Sequence, residues 1–565
     1  MSATFPSIQK EGPVPIAHWP LRGDCRDHSG HGHHGDNRGV DFDTTGPDGE
    51  PNSAARFDGR RAFIEVANHP SLRLGAHAFS IAAWVHTENA LDDVLGDIVS
   101  KYNPQTRRGF NFSIQNFSGV TSTQSNYRHL HFGIDQDHIE PQWTDCGRPG
   151  NNVYVCALAV CQGSLYAGTY EAGADEAGRV YRYAGGEEWI DCGAPDSCNA
   201  VLSLAVFRGQ LYAGVGHYRA QGSSLEGSPN TRSGGKVYRY AGGEWVGCGK
   251  LRAEEPTEGA LYGEWVQNLQ GWSMDDIDTV SSLAVYRDAL YVMPSYHRGL
   301  YRYDGASWTD CGDPGCRLMS LGVYDGDLYA AGNEGHKQGG IYRYDGGRQW
   351  SHAGDQQGVD QVYSFAVYEG DLYAGTWPEA RVFRLDGEST WTDCGRLGNE
   401  LETMAMMVYN GQLYAGTLPL AEVYRYDGGT RWTRTGQLDT TADVRYRRAW
   451  SMAMYRGKLF CGTLPSGRVY SLEAGKSATF DEELQPGWRH LAAVRERDHL
   501  KLYVDGQVVA RSTSFDPAAY DLGNDRPWRI GAGAHDYFNG CIGDLRLYDR
   551  ALTEAEIATL YRPST

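Results

Sequence analysis

The sequence predicts an all-β protein in which a seven-bladed β-propeller interrupts a second β domain. Three observations carry that expectation: a strand-turn-strand phrase that recurs seven times, a tail of the phrase standing alone ahead of the first copy, and strand-like flanks that lack the repeat. The 72 glycines and 36 tyrosines fit them, because many short strands joined by tight turns use both. At 565 residues the chain is too long for one ordinary core, so at least two domains are expected.

The phrase runs "LAVCQGSLYAGT" from Leu158, "LAVFRGQLYAGV" from Leu204, "LAVYRDALYVMP" from Leu283 and "LGVYDGDLYAAG" from Leu321. It continues as "FAVYEGDLYAGT" from Phe365, "MMVYNGQLYAGT" from Met406 and "MAMYRGKLFCGT" from Met452. Each copy alternates with period two about a turn such as Arg208-Gly209 or Asn410-Gly411, the pattern of a β-hairpin. A third strand of the type "RVYRY" follows, then a Gly-rich turn and a fourth strand marked by tryptophan. Four antiparallel strands every ~40 to 50 residues read as propeller blades.

Trp189, Trp245, Trp308, Trp350, Trp391 and Trp432 mark the first six copies, whereas the seventh ends "VYSLEAGKSATF" with no tryptophan. The orphan "PQWTDCG" supplies the missing strand. Residues 141–147, with Trp143, are therefore expected to complete the last blade and close a propeller spanning 139–475.

The flanks, 13–138 and 476–563, each look incomplete. The first carries "IAHWPL", "SAARFDG", "FSIAAWVH" and "HLHFGID". The second carries "GWRHLAAV", "LKLYVDGQVVAR" with an Asp505-Gly506 turn, "WRIGAG" and "IGDLRLYDRAL". A short helix, "LTEAEIATLY", ends it, with Thr553 and Glu556 in capping-box spacing. "HWPLRGDCRDHSGHGHHG", "GWRHLAAV…LKLYVDGQVV" and "GCIGDLRLYDRALTEAEI" resemble the opening and closing phrases of laminin-G-like, concanavalin-type jelly rolls. The resemblance implies one discontinuous β-sandwich with the propeller inserted between two of its strands. It also implies a structural Ca²⁺, with Asp27 and Asp544 at the acidic positions of the two phrases.

A net charge of −19 argues against nucleic acid, whose phosphates need basic patches. No run of about 18 apolar residues occurs, so no membrane-spanning helix is expected. The opening "MSATFPSIQKEGPVP" lacks a basic and an apolar leader region. It reads as cytoplasmic as given, and as secreted if a leader has been removed. The chain reads as a monomer. Of 12 cysteines, Cys146, Cys192, Cys248, Cys311 and Cys394 share one repeat position. Equivalent positions in neighbouring blades stand too far apart to bridge, so these read as small buried thiols. Hydrolase-triad, zincin, Walker and paired CxxC motifs are missing.

Chemistry is expected on the loops that vary between copies. After the second strand, three consecutive copies carry a histidine: "VGHY" (His217), "SYHR" (His297) and "NEGHK" (His336). Tyr218, Tyr296, Trp377 and Arg381 lie in the same set of loops, with Arg317 and a cluster at Arg445, Arg447 and Arg448 between blades. Arginine to neutralise a carboxylate, with His297 or Tyr296 as base, is what a uronate polysaccharide lyase requires. His217, His336, Tyr218, Trp377 and Arg381 would then bind an acidic polysaccharide. The three histidines could instead hold a divalent metal, or be solvated loop residues that never meet. The aromatic loops, Trp265 and Trp272 included, equally suit a non-catalytic module that binds a glycan or a protein. The run His28, His31, His33, His34 reads as a surface loop.

Overall fold

The computed structural model describes residues 13–115, 124–220, 223, 225, 227–251, 277–295, 297–333 and 340–561. In each repeat copy both central residues of the hairpin turn have positive φ, as at Arg208 (49°) and Gly209 (70°). These are type I′ turns, whose twist matches that of the strands they join. The third copy adopts the same turn without glycine, at Arg287 (46°) and Asp288 (55°).

Among the described residues, five of the resulting antiparallel sheets are separate and four-stranded. Two more four-strand meanders, from 154 to 191 and from 200 to 250, form one eight-stranded sheet joined through a single pairing, Tyr170 with Ala200. The orphan strand Trp143–Asp145 lies antiparallel to Val469–Leu472, with Trp143 opposite Leu472 and Asp145 opposite Tyr470. Arg468 Nε reinforces the pair by donating to Asp145 Oδ2 at 2.7 Å.

The tryptophans lace the blades together at the rim. The indole N–H of Trp189 donates to the Cys146 carbonyl (2.9 Å), Trp245 to Cys192 (3.0 Å) and Trp308 to Cys248 (2.7 Å). Trp350 reaches Cys311, Trp391 reaches Ala353 and Trp432 reaches Cys394 in the same way. Trp143 continues the series by donating to the Thr435 hydroxyl at 3.3 Å.

Strands from both flanks share two further sheets. Phe79–Thr87 lies between Asn539–Tyr548 and Gly487–Arg495 in one, and His129–Asp135 pairs with Lys476–Phe480 at the edge of the other. Their facing sides bury Trp19, Phe57, Phe79, Phe110, Phe132 and Trp528, with Phe110 5.0 Å from Trp528 and 5.6 Å from Phe79. The helix Glu554–Tyr561 opens on a reciprocal cap, Thr553 N to Glu556 Oε2 (2.8 Å) and Glu556 N to Thr553 Oγ1 (3.3 Å). No helix among the described residues is long and apolar enough to cross a membrane.

The uniform hairpin turns are the seat of the propeller on the sandwich. Gly163 N donates to Asp481 O, Arg287 N to Leu91 O, Gly326 N to Asp92 O and Glu369 N to Ala534 O, all at 2.7–3.1 Å. At the centre of that face, the sandwich segment 124–128 enters the channel. The Gln124 amide bonds both ways with the backbone of Val285, and Asn126 does the same with Met454. Val160 N donates to Ser125 O. Val160, Val285 and Met454 belong to the innermost strands of three blades, so this segment stoppers one end of the channel.

Replacing Trp143 by alanine removes both the rim bond and the half-buried indole. We expect a loss of about 2–4 kcal/mol, the range for large-to-small changes at packed aromatic sites, read as a lower urea midpoint. An unchanged midpoint would show that the closing strand contributes nothing.

Candidate functional site

With the turns seated on the sandwich, each innermost strand begins at the other end of the channel. Four residues ahead of the repeated phrase stand Tyr154 in the first copy and Arg317, Gln361, Glu402 and Arg448 in the last four. Two residues further in, the strand bulges: the pairing register breaks at Cys156, Leu202, Tyr363 and Trp450. A bulge re-aims the side chain of its extra residue. The bulge at Trp450 sets its ring in a largely buried aromatic wall, 5.5 Å from Tyr154, which lies 5.4 Å from Tyr218, with Tyr218 5.1 Å from Tyr170. Cys156, Leu202, Met319, Met404 and Met452 pack with these rings in one apolar cluster.

One ion pair stands in this wall. Arg448 Nε lies 3.8 Å from Glu402 Oε2, with side-chain exposures of 12% and 10%. The Arg448 guanidinium sits 6.0 Å from the ring centres of both Tyr446 and Trp450. Tyr363 donates its hydroxyl to Gln361 Oε1 (2.8 Å) and, at 3.5 Å, to Glu402 Oε1. Burial pushes the Glu402 carboxyl above the usual carboxylate range, and Arg448 opposes the shift. Burial likewise raises the Tyr218 hydroxyl, with Arg448 again opposing.

The other residues singled out from the sequence fall as follows. His217 precedes Tyr218 and lies 3.9 Å from Asp278, which Arg219 holds at 2.6 Å. Burial, seconded by Arg219, lowers its pKa. His297 is buried, in the loop after Ala289–Met293. Arg317 is buried too, and its donors go to the Asn333 carbonyl (2.7 Å), the Asn333 side chain and the Ser295 carbonyl (2.8 Å). It ties the His297 loop to the next blade, which leaves little of its fork for a ligand. Trp377 is half-buried opposite Gln361, and Arg381 is paired with Glu379 and Asp393. Tyr296, His336, Trp265 and Trp272 lie outside the described residues.

Asp27 and Asp544 flank His18. Asp27 accepts from the His18 N–H (2.9 Å), from Ser29 and from the His33 N–H, and Asp544 contacts the His18 ring at 2.7 Å and Arg546 at 2.9 Å. Burial alone would raise the Asp27 carboxyl, but these backbone donors hold it at about 2. These carboxylates tie the strand Ala17–Trp19 to Asn539–Tyr548, with which it pairs. Among the described residues no group of three His, Cys, Asp or Glu side chains is placed to hold a metal ion. His33 is buried, and its carbonyl accepts from Trp19 Nε1 at 2.8 Å, so the histidine run is partly folded in rather than a surface loop throughout. All 12 cysteines are free thiols.

Glu171, next to Tyr170 of the wall, is pushed by burial from 4.5 up to about 7, against the Thr169 hydroxyl that donates to it at 2.8 Å. Its folded pKa therefore lies above its unfolded one. The stability it contributes is complete below 4.5 and is lost as pH rises to about 7. Glu171→Gln should remove that fall, so the variant gains on the wild type through this window in urea midpoints measured against pH. Parallel pH curves for the two proteins would overturn the assignment.

Residues 435–558 match the model of the concanavalin A-like lectin/glucanases superfamily, of laminin-G type, which bears out the resemblance of the closing phrases. No curated protein matches the chain. Among solved structures, the WD40 β-propeller domain of Doa1 is similar over 58% of this chain and 96% of its own, at 12% identity and a TM-score of 0.38. A sialidase of Trypanosoma rangeli is similar over 74% of this chain and 98% of its own, at 10% identity and a TM-score of 0.29. BamB from Moraxella catarrhalis covers 69% of this chain and 97% of its own, at 8% identity and a TM-score of 0.32. Similarities this low assign no activity.

Proposed function

We propose that this is a carbohydrate-active protein that seats a glycan at the end of its propeller channel opposite the 124–128 segment. One observation carries the reading: the partly exposed Arg448–Glu402 pair stands there beside a largely buried aromatic wall of Tyr154, Tyr170, Tyr218 and Trp450, while the other end is closed by 124–128. Aromatic faces stack on the apolar faces of sugar rings, and a few polar groups among them fix orientation. Tyr363, Glu402 and Arg448 supply those groups. Counting the eight-stranded sheet as two blades gives a ring of seven. The chain then divides into a propeller, 139–475, and a discontinuous jelly roll, 13–138 with 476–563.

The catalytic form of this reading is a polysaccharide lyase that takes a proton beside the carboxylate of a uronate, with His297 or Tyr296 as base. Binding without chemistry is the second reading, and it is favoured by the engagement of Arg317. A panel of neutral and acidic glycans separates them, with affinity read by calorimetry and lyase action by the ultraviolet absorbance of an unsaturated uronate. Trp450→Ala should weaken any glycan by roughly tenfold or more. A panel with no binder and no product would remove both readings.

The domain division has its own test. Ile134 pairs with Lys476, so a short linker can replace 139–475. The remaining flanks should fold as one cooperative β-sandwich. A product without near-ultraviolet circular dichroism or a cooperative transition would overturn the division.

A further inference from the structure

We infer that Arg448 is the anion-binding group of the channel, and that it takes the carboxylate of a terminal acidic sugar, a uronate or a nonulosonate. The inference rests on the glycan reading above and narrows it.

The geometry leaves the arginine one free side. Its Nε is buried and faces Glu402 Oε2 at 3.8 Å. Tyr446 and Trp450 lie at 6.0 Å from its guanidinium carbon. Of its nitrogens only Nε is both buried and without a hydrogen-bond partner. Among the described residues no hydrogen bond uses either Nη group, so the Nη edge is the part that meets solvent. Two parallel N–H donors on one edge of a planar cation match the two oxygens of a carboxylate. Arg317, at the equivalent position three copies earlier, spends its donors on Ser295 and Asn333 and offers no such edge.

The stopper makes the ligand an end rather than a middle. Gln124, Ser125 and Asn126 bond to three innermost strands, so a polymer cannot thread the channel. A chain terminus can still reach the aromatic wall, and the guanidinium of Arg448 suits one carboxylate.

The test is calorimetry on the full chain with matched pairs: sialyllactose against lactose, and trigalacturonate against its methyl ester. At least one acidic member should bind the wild type more tightly than its neutral partner, and which one identifies the sugar. Arg448→Gln should weaken that member by roughly 10- to 100-fold and the neutral one by several-fold less, so that the acid preference is lost. Arg448→Lys keeps the charge but not the fork, and should recover only part of the loss. Neutral sugars bound as tightly as acidic ones by the wild type, or an acid preference that survives Arg448→Gln, would overturn the assignment while leaving the glycan reading in place. The wild-type comparison stands even if a variant does not fold. No binding of any of the four sugars counts against both, and loss of the two neutral sugars in Trp450→Ala separates the wall from the arginine.

Discussion

The molecule depends on three residue pairs between Trp143–Asp145 and Val469–Leu472. A propeller is a sheet arrangement with two loose ends, and an unpaired outer strand exposes a row of backbone donors and acceptors. Here the strand that enters the propeller caps the blade from which the chain leaves. Only a few residues away, Lys476 is already paired with Ile134 in the sandwich. Entry and exit are thus held side by side by hydrogen bonds on both sides of the crossing. A long insertion becomes compatible with an uninterrupted sandwich edge. The same crossing holds the disc where its turns meet the sandwich, and so places 124–128 under the channel.

The rim bonds explain a regularity that composition alone leaves odd. The repeated cysteine is neither bridged nor a ligand. Its carbonyl accepts the tryptophan N–H of the next blade, and its thiol turns back to the carbonyl two residues earlier in its own strand. Ala353 serves equally well, and at Thr435 the hydroxyl takes the bond instead. What this position requires is small size and a presented acceptor, which cysteine, alanine and threonine share. The tryptophan pattern was legible because each rim bond needs one indole per copy, so a copy without one announces a strand supplied from elsewhere.

The site was less legible. Loop histidines stand out in a sequence, yet His297 is buried and Arg317 is spent as a tie between blades. Of the wall, Tyr218 lies in a loop that the sequence singles out, whereas Tyr154, Tyr170 and Trp450 sit within strands, Trp450 at a bulge. Period-two patterning carries no mark of a bulge, since it assigns faces by parity and a bulge breaks parity. One signal was available. At the fourth residue ahead of the repeated phrase, Arg317, Gln361, Glu402 and Arg448 are polar in four consecutive copies of an otherwise apolar strand.

The overall charge of −19 looks unsuited to an acidic ligand, and the resolution is one of range. Charges on the outer surface are screened beyond about 8 Å at physiological ionic strength, so they act on approach and hardly at contact. Inside the channel the balance is local. A guanidinium buried alone would cost several kcal/mol in lost hydration. Glu402 offsets much of that cost on the Nε side, and the tyrosine and tryptophan faces add a smaller contribution. Because Glu402 is itself buried, burial opposes its charge and raises its pKa against Arg448, while Glu402 in turn helps to raise that of the arginine. An arginine prepared in this way has only its Nη edge left to desolvate when a carboxylate arrives.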